Sequence, residues 1–258
     1  MDTRRLDAWP EIAACAAALE DARALADDAA RPVDERRDAL AGLAGATEDT
    51  AMKRAYQAHE KALVARRFRS WSELVAYAGF AVAPFAERFA AASGLDEAGR
   101  QKLGGYCVAA HLLDLALHCG DEFRAHDRIY LPGDWLRSAE VAPEDFAGRK
   151  AGRGLRSVLD RLLDRIEPTM ADAFAAAGAI ADPPLREAAT TEIAERSRLP
   201  RPPRRRDPPA RPGAPPPPAP RAGPGAAPRW PARSRSPRST AGRSDSGSAA
   251  SESRAGER

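Results

Sequence analysis

Aromatic residues are scarce in this chain: Phe, Trp and Tyr together make up 6% of 258 residues. No stretch sustains the apolar–polar alternation of a half-buried strand. Both shortages argue against a sandwich or barrel, whose strands draw on aromatic and β-branched residues. Cysteine is equally sparse, and Cys15, Cys107 and Cys119 show no paired spacing, which points to a reducing cytoplasm. The opening "MDTRRLDAWPEIAACAAALE" lacks the apolar core of a secretory signal. The most apolar run, "LVAYAGFAVAPFA", is broken by Pro84 and falls short of the roughly 20 residues a bilayer span needs. The pattern therefore predicts a cytoplasmic protein, with contact at a membrane periphery left open.

What is present is alanine-rich and helix-favouring. The formal charge of +3 averages two unlike segments. From Arg201 onward there are 13 arginines and no lysine against 4 acidic residues, so that segment is strongly basic and the remainder is mildly acidic. Residues 200–258 also hold 15 of the 23 prolines, and Trp230 is their one large apolar side chain. Such a composition cannot bury enough surface to offset its ordering entropy. The sequence thus divides into a helical domain over residues 1–196 and a disordered tail over residues 197–258. "RPPRRRDPPARP" and "RSRSPRST" have the charge to neutralise phosphates. The same residues are what GC-rich DNA encodes out of frame, and the junction interrupts a helical pattern at "TTEIAERSRLPRPP". An adventitious or dispensable tail is the favoured reading, without nucleic acid as a partner.

Within the domain, 3.6-residue periodicity predicts helices over residues 9–30, 34–43 and from Thr47 as N-cap. Another is predicted from the Ser70–Glu73 capping box to Gly94. Further helices are predicted over 96–122 with a bend at Gly104-Gly105, over 152–177 with a kink at Pro168, and from Pro184 to Ile193. The class is all-α.

One of these helices carries polar residues where a core face is expected. His111, Asp114, His118 and Glu122 are spaced by three, four and four residues, which keeps them on one side of a helix. In a bundle such a face can converge on a bound ion: imidazoles with carboxylates suit zinc or iron, and carboxylates alone suit Mg²⁺. Asp27-Asp28, at the end of the first helix, offer a second acidic patch. Two facing acidic patches could bridge Mg²⁺ to a diphosphate. The bland alternatives are a polar stripe on a bundle surface and a solvated helix end. His59 and His126 read as an exposed helix histidine and a loop histidine, and Cys119 as a small packing residue.

"RRFRSWSELVAYAGFAVAPFAERFAAASG" followed by "HCGDEFRAHDRIYLPGDWL" resembles the squalene/phytoene synthase family, closest to its bacterial hopanoid-pathway type. The likeness rests on Arg67, Trp71, Glu73, Leu74, Tyr77, Pro84, Arg88, Cys119, Arg124, Asp127, Arg128, Tyr130, Leu131 and Pro132, over roughly residues 20–195. It implies an isoprenoid (trans-prenyltransferase) synthase bundle that acts on farnesyl diphosphate or presqualene diphosphate with Mg²⁺. It also implies Arg124, Arg128 and Tyr130 as diphosphate contacts and Tyr77 beside the substrate cavity. Asp27, Asp28, Asp114, His118, Asp121 and Glu122 are the implied metal-binding positions. A related synthase subunit is an implied partner.

The departures from the family pattern are specific. His118 and Glu122 stand where the family has its two metal-binding aspartates, with Asp121 one residue early. His111 and Asp114 replace a Gln and an Asn, and Arg31 replaces the last Asp of the first motif. Ala62 takes the place of an acidic residue. These changes leave a second reading open: a catalytically impaired or non-catalytic family member, whether pseudoenzyme, partner subunit or truncated gene product.

Overall fold

A computed structural model describes residues 8–148 and 150–198. The helices run in the order α1 (Pro10–Asp27), α2 (Val33–Ala46), α3 (Thr50–Ala65), α4 (Trp71–Ala92), α5 (Glu97–Leu117), α6 (Cys119–His126), α7 (Gly133–Ser138), α8 (Arg153–Ala177) and α9 (Pro183–Ser197). Two short parallel strands, β1 (Arg67–Phe68) and β2 (Ile129–Pro132), pair with Arg67 opposite Ile129 and Phe68 opposite Pro132. The all-α expectation holds for the domain, with this one strand pair added. Beyond Arg198 the expected tail lies outside the described residues.

Helix α5 lies at the centre, packed between α4 and α8; α3 lies on α4, α2 on α3, α9 on α8, and α1 leans on all of α2, α3 and α4. The sequence accounts for this arrangement. Helix α8 buries Leu155, Val158, Leu162, Ile166, Met170, Ala173 and Ala177, a three-and-four spacing that makes one apolar stripe. Helix α5 answers with Leu103, Leu112 and Leu113 and with small residues that let its neighbours approach. At Gly105 an added Cβ would lie 3.1 Å from Thr169 Cγ2, so the missing side chain makes room for the Thr169 methyl of α8.

Several boundaries differ from the sequence expectation, each for a local reason. Asp49, not Thr47, caps α3: its carboxylate accepts from the Ala51 and Met52 amides at 2.8 and 3.1 Å and also pairs with Arg88. Ser70 does cap α4 through the Glu73 amide at 3.4 Å, but the Glu73 carboxylate turns back to the Arg69 amide at 2.7 Å. Helix α4 runs unbroken through Pro84 for 22 residues, so by length and composition it could cross a bilayer, contrary to the sequence reading. Its Leu74, Tyr77, Ala78, Ala81 and Phe89 are instead buried in the bundle. Helix α5 passes Gly104-Gly105 and stops at Leu117, and α9 continues past Ile193 to Ser197.

His59 is not exposed as expected. It is buried on α3 with its ring edge-on to Tyr77 at 6.3 Å, while the His111 ring lies 6.0 Å from Tyr77 on the α5 side. Burial holds both imidazoles neutral, lowering His59 to about 4 and His111 to about 3.

Two outcomes are expected. Leu162→Ala, which opens a cavity at a fully buried α8 position, should lower the unfolding free energy by about 2–5 kcal/mol in urea titration. The histidines impose a pH dependence of definite sign. Below about 6.5 the unfolded chain takes up protons that the native state refuses, so stability falls as pH drops from there toward 4 for His59 and toward 3 for His111. Each site contributes a slope of at most about 1.4 kcal/mol per pH unit. His59→Leu should flatten the pH 6.5–4 portion of that profile; an unchanged slope would show that His59 is not held neutral.

Candidate functional site

The helix that was expected to carry an unbroken polar stripe is cut at His118. Its φ of −100° and ψ of 10° end α5, and α6 starts at once from Cys119. Helix α6 then stops at Asp127, which adopts a left-handed φ of 51° and returns its amide to the Phe123 carbonyl at 2.9 Å. The next residue, Arg128, is thereby turned inward and enters β2 only 4% exposed.

The turn is held from the other strand. Arg66 is also left-handed, with φ 44°, and its carbonyl accepts from the Ile129 amide at 2.9 Å. Arg67 donates to both the carbonyl and the carboxylate of Asp127, the latter at 2.7 Å, and Arg66 reaches the same carboxylate at 3.4 Å. These arginines hold the Asp127 carboxyl below the usual carboxylate range. At the far end an added Cβ on Gly133 would lie 2.9 Å from the Phe68 carbonyl, so the "LPGDW" glycine is required by the approach of β1. The most specific residues of the sequence pattern, "RRF" and "DRIYLP", are therefore one structural device that aims Arg128 and Tyr130.

Arg128 is met from three sides. Its Nη2 pairs with Asp27 from the end of α1 and lies 3.4 Å from Glu122 Oε2 of α6, while its Nη1 donates to the Tyr130 hydroxyl at 3.2 Å. Arg23, one turn before Asp27, reaches Asp27 and Glu122 at 3.5 Å each. Burial opposes the Arg128 charge, but Tyr130, Asp27 and Glu122 more than offset it, and the guanidinium stays protonated. The Tyr77 and Tyr130 rings stack at 5.5 Å with Phe68 alongside. Burial pushes both phenols up, so they remain neutral donors.

The structure gathers only part of the expected metal set. Ligand atoms of Asp27, Glu122 and His126 lie within 4.8 Å of one another. Burial first, and Arg128 second, lower the His126 imidazole and keep it available as a ligand. Glu122 is 8% exposed, and its Oε2 has no hydrogen-bond partner among the described residues. Two converging carboxylates with an under-satisfied buried oxygen fit one divalent cation, with the remaining positions left to a bound ligand.

The other positions are engaged elsewhere. Asp28 pairs with Arg31 at 3.0 Å, the residue that replaces the family's last aspartate. Asp114 pairs with Arg196 of α9 at 2.6 Å. Asp121 pairs with Arg124 on the surface, and Arg124 also reaches the Phe146 carbonyl at 3.5 Å, away from Arg128. His118 is exposed, its Nδ1 2.8 Å from the Asp114 carbonyl. Their side chains thus serve local ion pairs and a helix end. Sequence reasoning missed His126 and Arg23. His126 continues the four-residue step from Glu122, and Arg23 precedes Asp27 by the same step, so both were legible as helical neighbours.

Two cavities lie along α5. One of about 130 Å³ is lined by Val82, Phe85, Tyr106, His111, Asp114 and Arg196, among others. The second, about 450 Å³, runs along Leu113, Leu163, Ile166, Met170 and Phe174 and meets the first at Arg196.

Comparison with known proteins agrees with this architecture. The fold is similar to that of the squalene synthase HpnC from Alicyclobacillus acidocaldarius, with a TM-score of 0.58 at 15% identity over 73% of this chain and 80% of that one. A phytoene synthase of Pseudescherichia vulneris is 46% identical over 61 residues, 24% of this chain and 19% of the relative. A hydroxysqualene synthase of Rhodopseudomonas palustris is 25% identical over 116 residues, 45% of this chain and 40% of the relative. The chain thus spans less than half the length of either curated relative. The squalene/phytoene synthase profile, however, matches residues 2–199, nearly all of the helical domain and more than the stretch first recognised. The chain belongs to the squalene/phytoene synthase family.

Proposed function

We propose that the chain is a prenyl-diphosphate transferase of isoprenoid biosynthesis, acting on farnesyl diphosphate or presqualene diphosphate. The observation that carries this reading is the buried Arg128 guanidinium, held between Asp27, Glu122 and Tyr130, whose ring stacks on Tyr77. A fixed guanidinium and two neutral phenols are donors suited to phosphate oxygens. Asp27 and Glu122, with His126 beside them, are the residues that would hold Mg²⁺. When bound, Mg²⁺ supplies positive charge that stabilises the departing diphosphate.

The chain's own residues divide the remaining work. Arg128 and Tyr130 bind and orient the diphosphate by hydrogen bonding. The face of Tyr77, stacked on Tyr130, borders the carbon from which diphosphate leaves, where an aromatic ring attracts developing positive charge. The 450 Å³ cavity falls in the range of sites for ligands of prenyl size, and Leu113, Leu163, Ile166, Met170 and Phe174 on its wall offer apolar contact to a prenyl chain. The reading carries with it a cytoplasmic location, peripheral membrane contact where the apolar substrate partitions, and a related synthase subunit as partner. It assigns no role to nucleic acid.

The two Asp-rich positions should behave unequally. With farnesyl diphosphate and Mg²⁺, Asp27→Asn and Arg128→Gln should each lower the rate of diphosphate release by about 100-fold. Asp28→Asn, whose carboxylate pairs outward with Arg31, should change it less than about threefold. Equal losses at Asp27 and Asp28 would restore the two-aspartate arrangement expected from the sequence. The absence of release from the unaltered chain, with presqualene diphosphate as well, would place it among non-catalytic family members.

A further inference from the structure

Helix α2 sends one arginine inward, to the end of α1 that carries Asp27. Arg36 is 8% exposed, and its Nη1 donates to the Ala26 carbonyl at 2.8 Å. That contact has a structural reason: α1 has no basic residue in its last turn, and a cation from α2 closes a carbonyl left open at its C-terminal end. It accounts for only part of the guanidinium. The Arg36 Nε–H is buried without a hydrogen-bond partner among the described residues, and the Nε–H of Arg128 is in the same condition. Both groups are more than nine-tenths buried, one fixed to the carbonyl that precedes Asp27 and the other to the Asp27 carboxylate. Burial first, then Arg128 and more weakly Arg36, lower the His126 imidazole, so the Arg36 charge reaches the cluster of Asp27, Glu122 and His126. Three guanidinium groups, Arg23, Arg36 and Arg128, thus stand around two carboxylates, Asp27 and Glu122, and leave one positive charge in excess before any metal binds. Buried N–H donors are rarely left unpaired, and two of them on cations at one helix end call for an oxyanion.

We infer that Arg36 is a second diphosphate-binding residue, whose Nε–H and that of Arg128 donate to oxygens of the substrate's diphosphate group, Arg36 from α2 and Arg128 from β2. The identity of the ligand rests on the transferase reading above, and the second guanidinium deepens it. The arrangement suits a chain with few metal-binding carboxylates. Arg31 stands in place of an aspartate and is spent on Asp28, and among the described residues only Asp27, Glu122 and His126 converge on an ion. Arginine then supplies directly the positive charge that further carboxylate-bound cations would otherwise bring. The guanidinium is suited to this double duty: it is permanently charged, and its donors are held in one rigid plane. Nη1 can therefore keep the Ala26 carbonyl while Nε turns to a phosphate oxygen, whereas a lysine has the charge without the fork.

The test titrates the full chain with inorganic diphosphate and Mg²⁺ by calorimetry in about 0.3 M salt, which screens the exposed arginines beyond residue 200 more than a buried site. Arg36→Gln keeps a donor for the Ala26 carbonyl but removes the charge and the Nε–H, and should weaken diphosphate binding at least about tenfold. Arg36→Lys retains the charge and should weaken it by about threefold, which keeps the test available if the Gln variant does not fold. In the unaltered chain the Arg36 Nε–H resonance, identified by its absence from Arg36→Lys, should move when Mg²⁺ and diphosphate are added together. A residue that only closes α1 would behave differently: its variants would melt at lower temperature without ligand yet bind diphosphate as tightly as the unaltered chain. That result, or an Nε–H resonance that stays in place while diphosphate binds, would overturn the inference and leave the transferase reading standing. No binding of diphosphate by the unaltered chain would overturn both.

Discussion

A guanidinium buried at 4% exposure has to be neutralised, and much of the arrangement around it follows from that requirement. Arg128 draws Glu122 from the adjoining α6, Tyr130 from the strand that follows it, and Asp27 from the first helix, about a hundred residues earlier in the chain. Removing one partner of such a buried pair leaves an uncompensated charge and is worth about 3–5 kcal/mol, far more than a surface ion pair. The two left-handed turns at Arg66 and Asp127, and the strand pair between them, serve to hold Arg128 where those partners meet. Stability and the candidate chemistry thus depend on the same charge.

The same constraint explains how altered Asp-rich motifs fit an intact fold. Carboxylates that would repel one another are each matched by an arginine: Asp27 by Arg128 and Arg23, Asp28 by Arg31, Asp114 by Arg196, Asp121 by Arg124. Among the described residues only Asp27 and Glu122, with His126, converge closely enough to share an ion. The acidic patch is consequently smaller than the sequence spacing alone implied, and one-sided, because the α5 contribution is turned toward α9.

Much of the fold was legible because it is governed by periodicity and caps. The α8 stripe, the Ser70 cap and the α4–α5 apolar content are local signals, and the all-α class followed from them. The site was half legible. Arg128, Tyr130, Tyr77 and Asp27 could be named from the family pattern, and the structure brings these four together. The helix break at His118 was not read from the sequence, although Gly120 lies two residues beyond it, because the polar spacing runs through it unbroken. That break puts Asp114 and Glu122 on different helices, Asp114 paired with Arg196 and Glu122 beside Arg128. The burial of His59 was also hidden, since one imidazole among alanines on α3 looks the same whether it faces solvent or Tyr77.

The central claim is that Asp27, Glu122, Arg128 and Tyr130 form a working diphosphate site. The most direct measurement is the thermal midpoint of the full chain in four conditions: alone, with Mg²⁺, with farnesyl diphosphate, and with both. A ligand bound only by the native state at about a hundred times its Kd adds roughly 2.7 kcal/mol, a rise of about 5–10 °C for a domain of this size. The account predicts that rise with Mg²⁺ and farnesyl diphosphate together and a clearly smaller one with either alone. A cooperative melt whose midpoint is the same in all four conditions would contradict it.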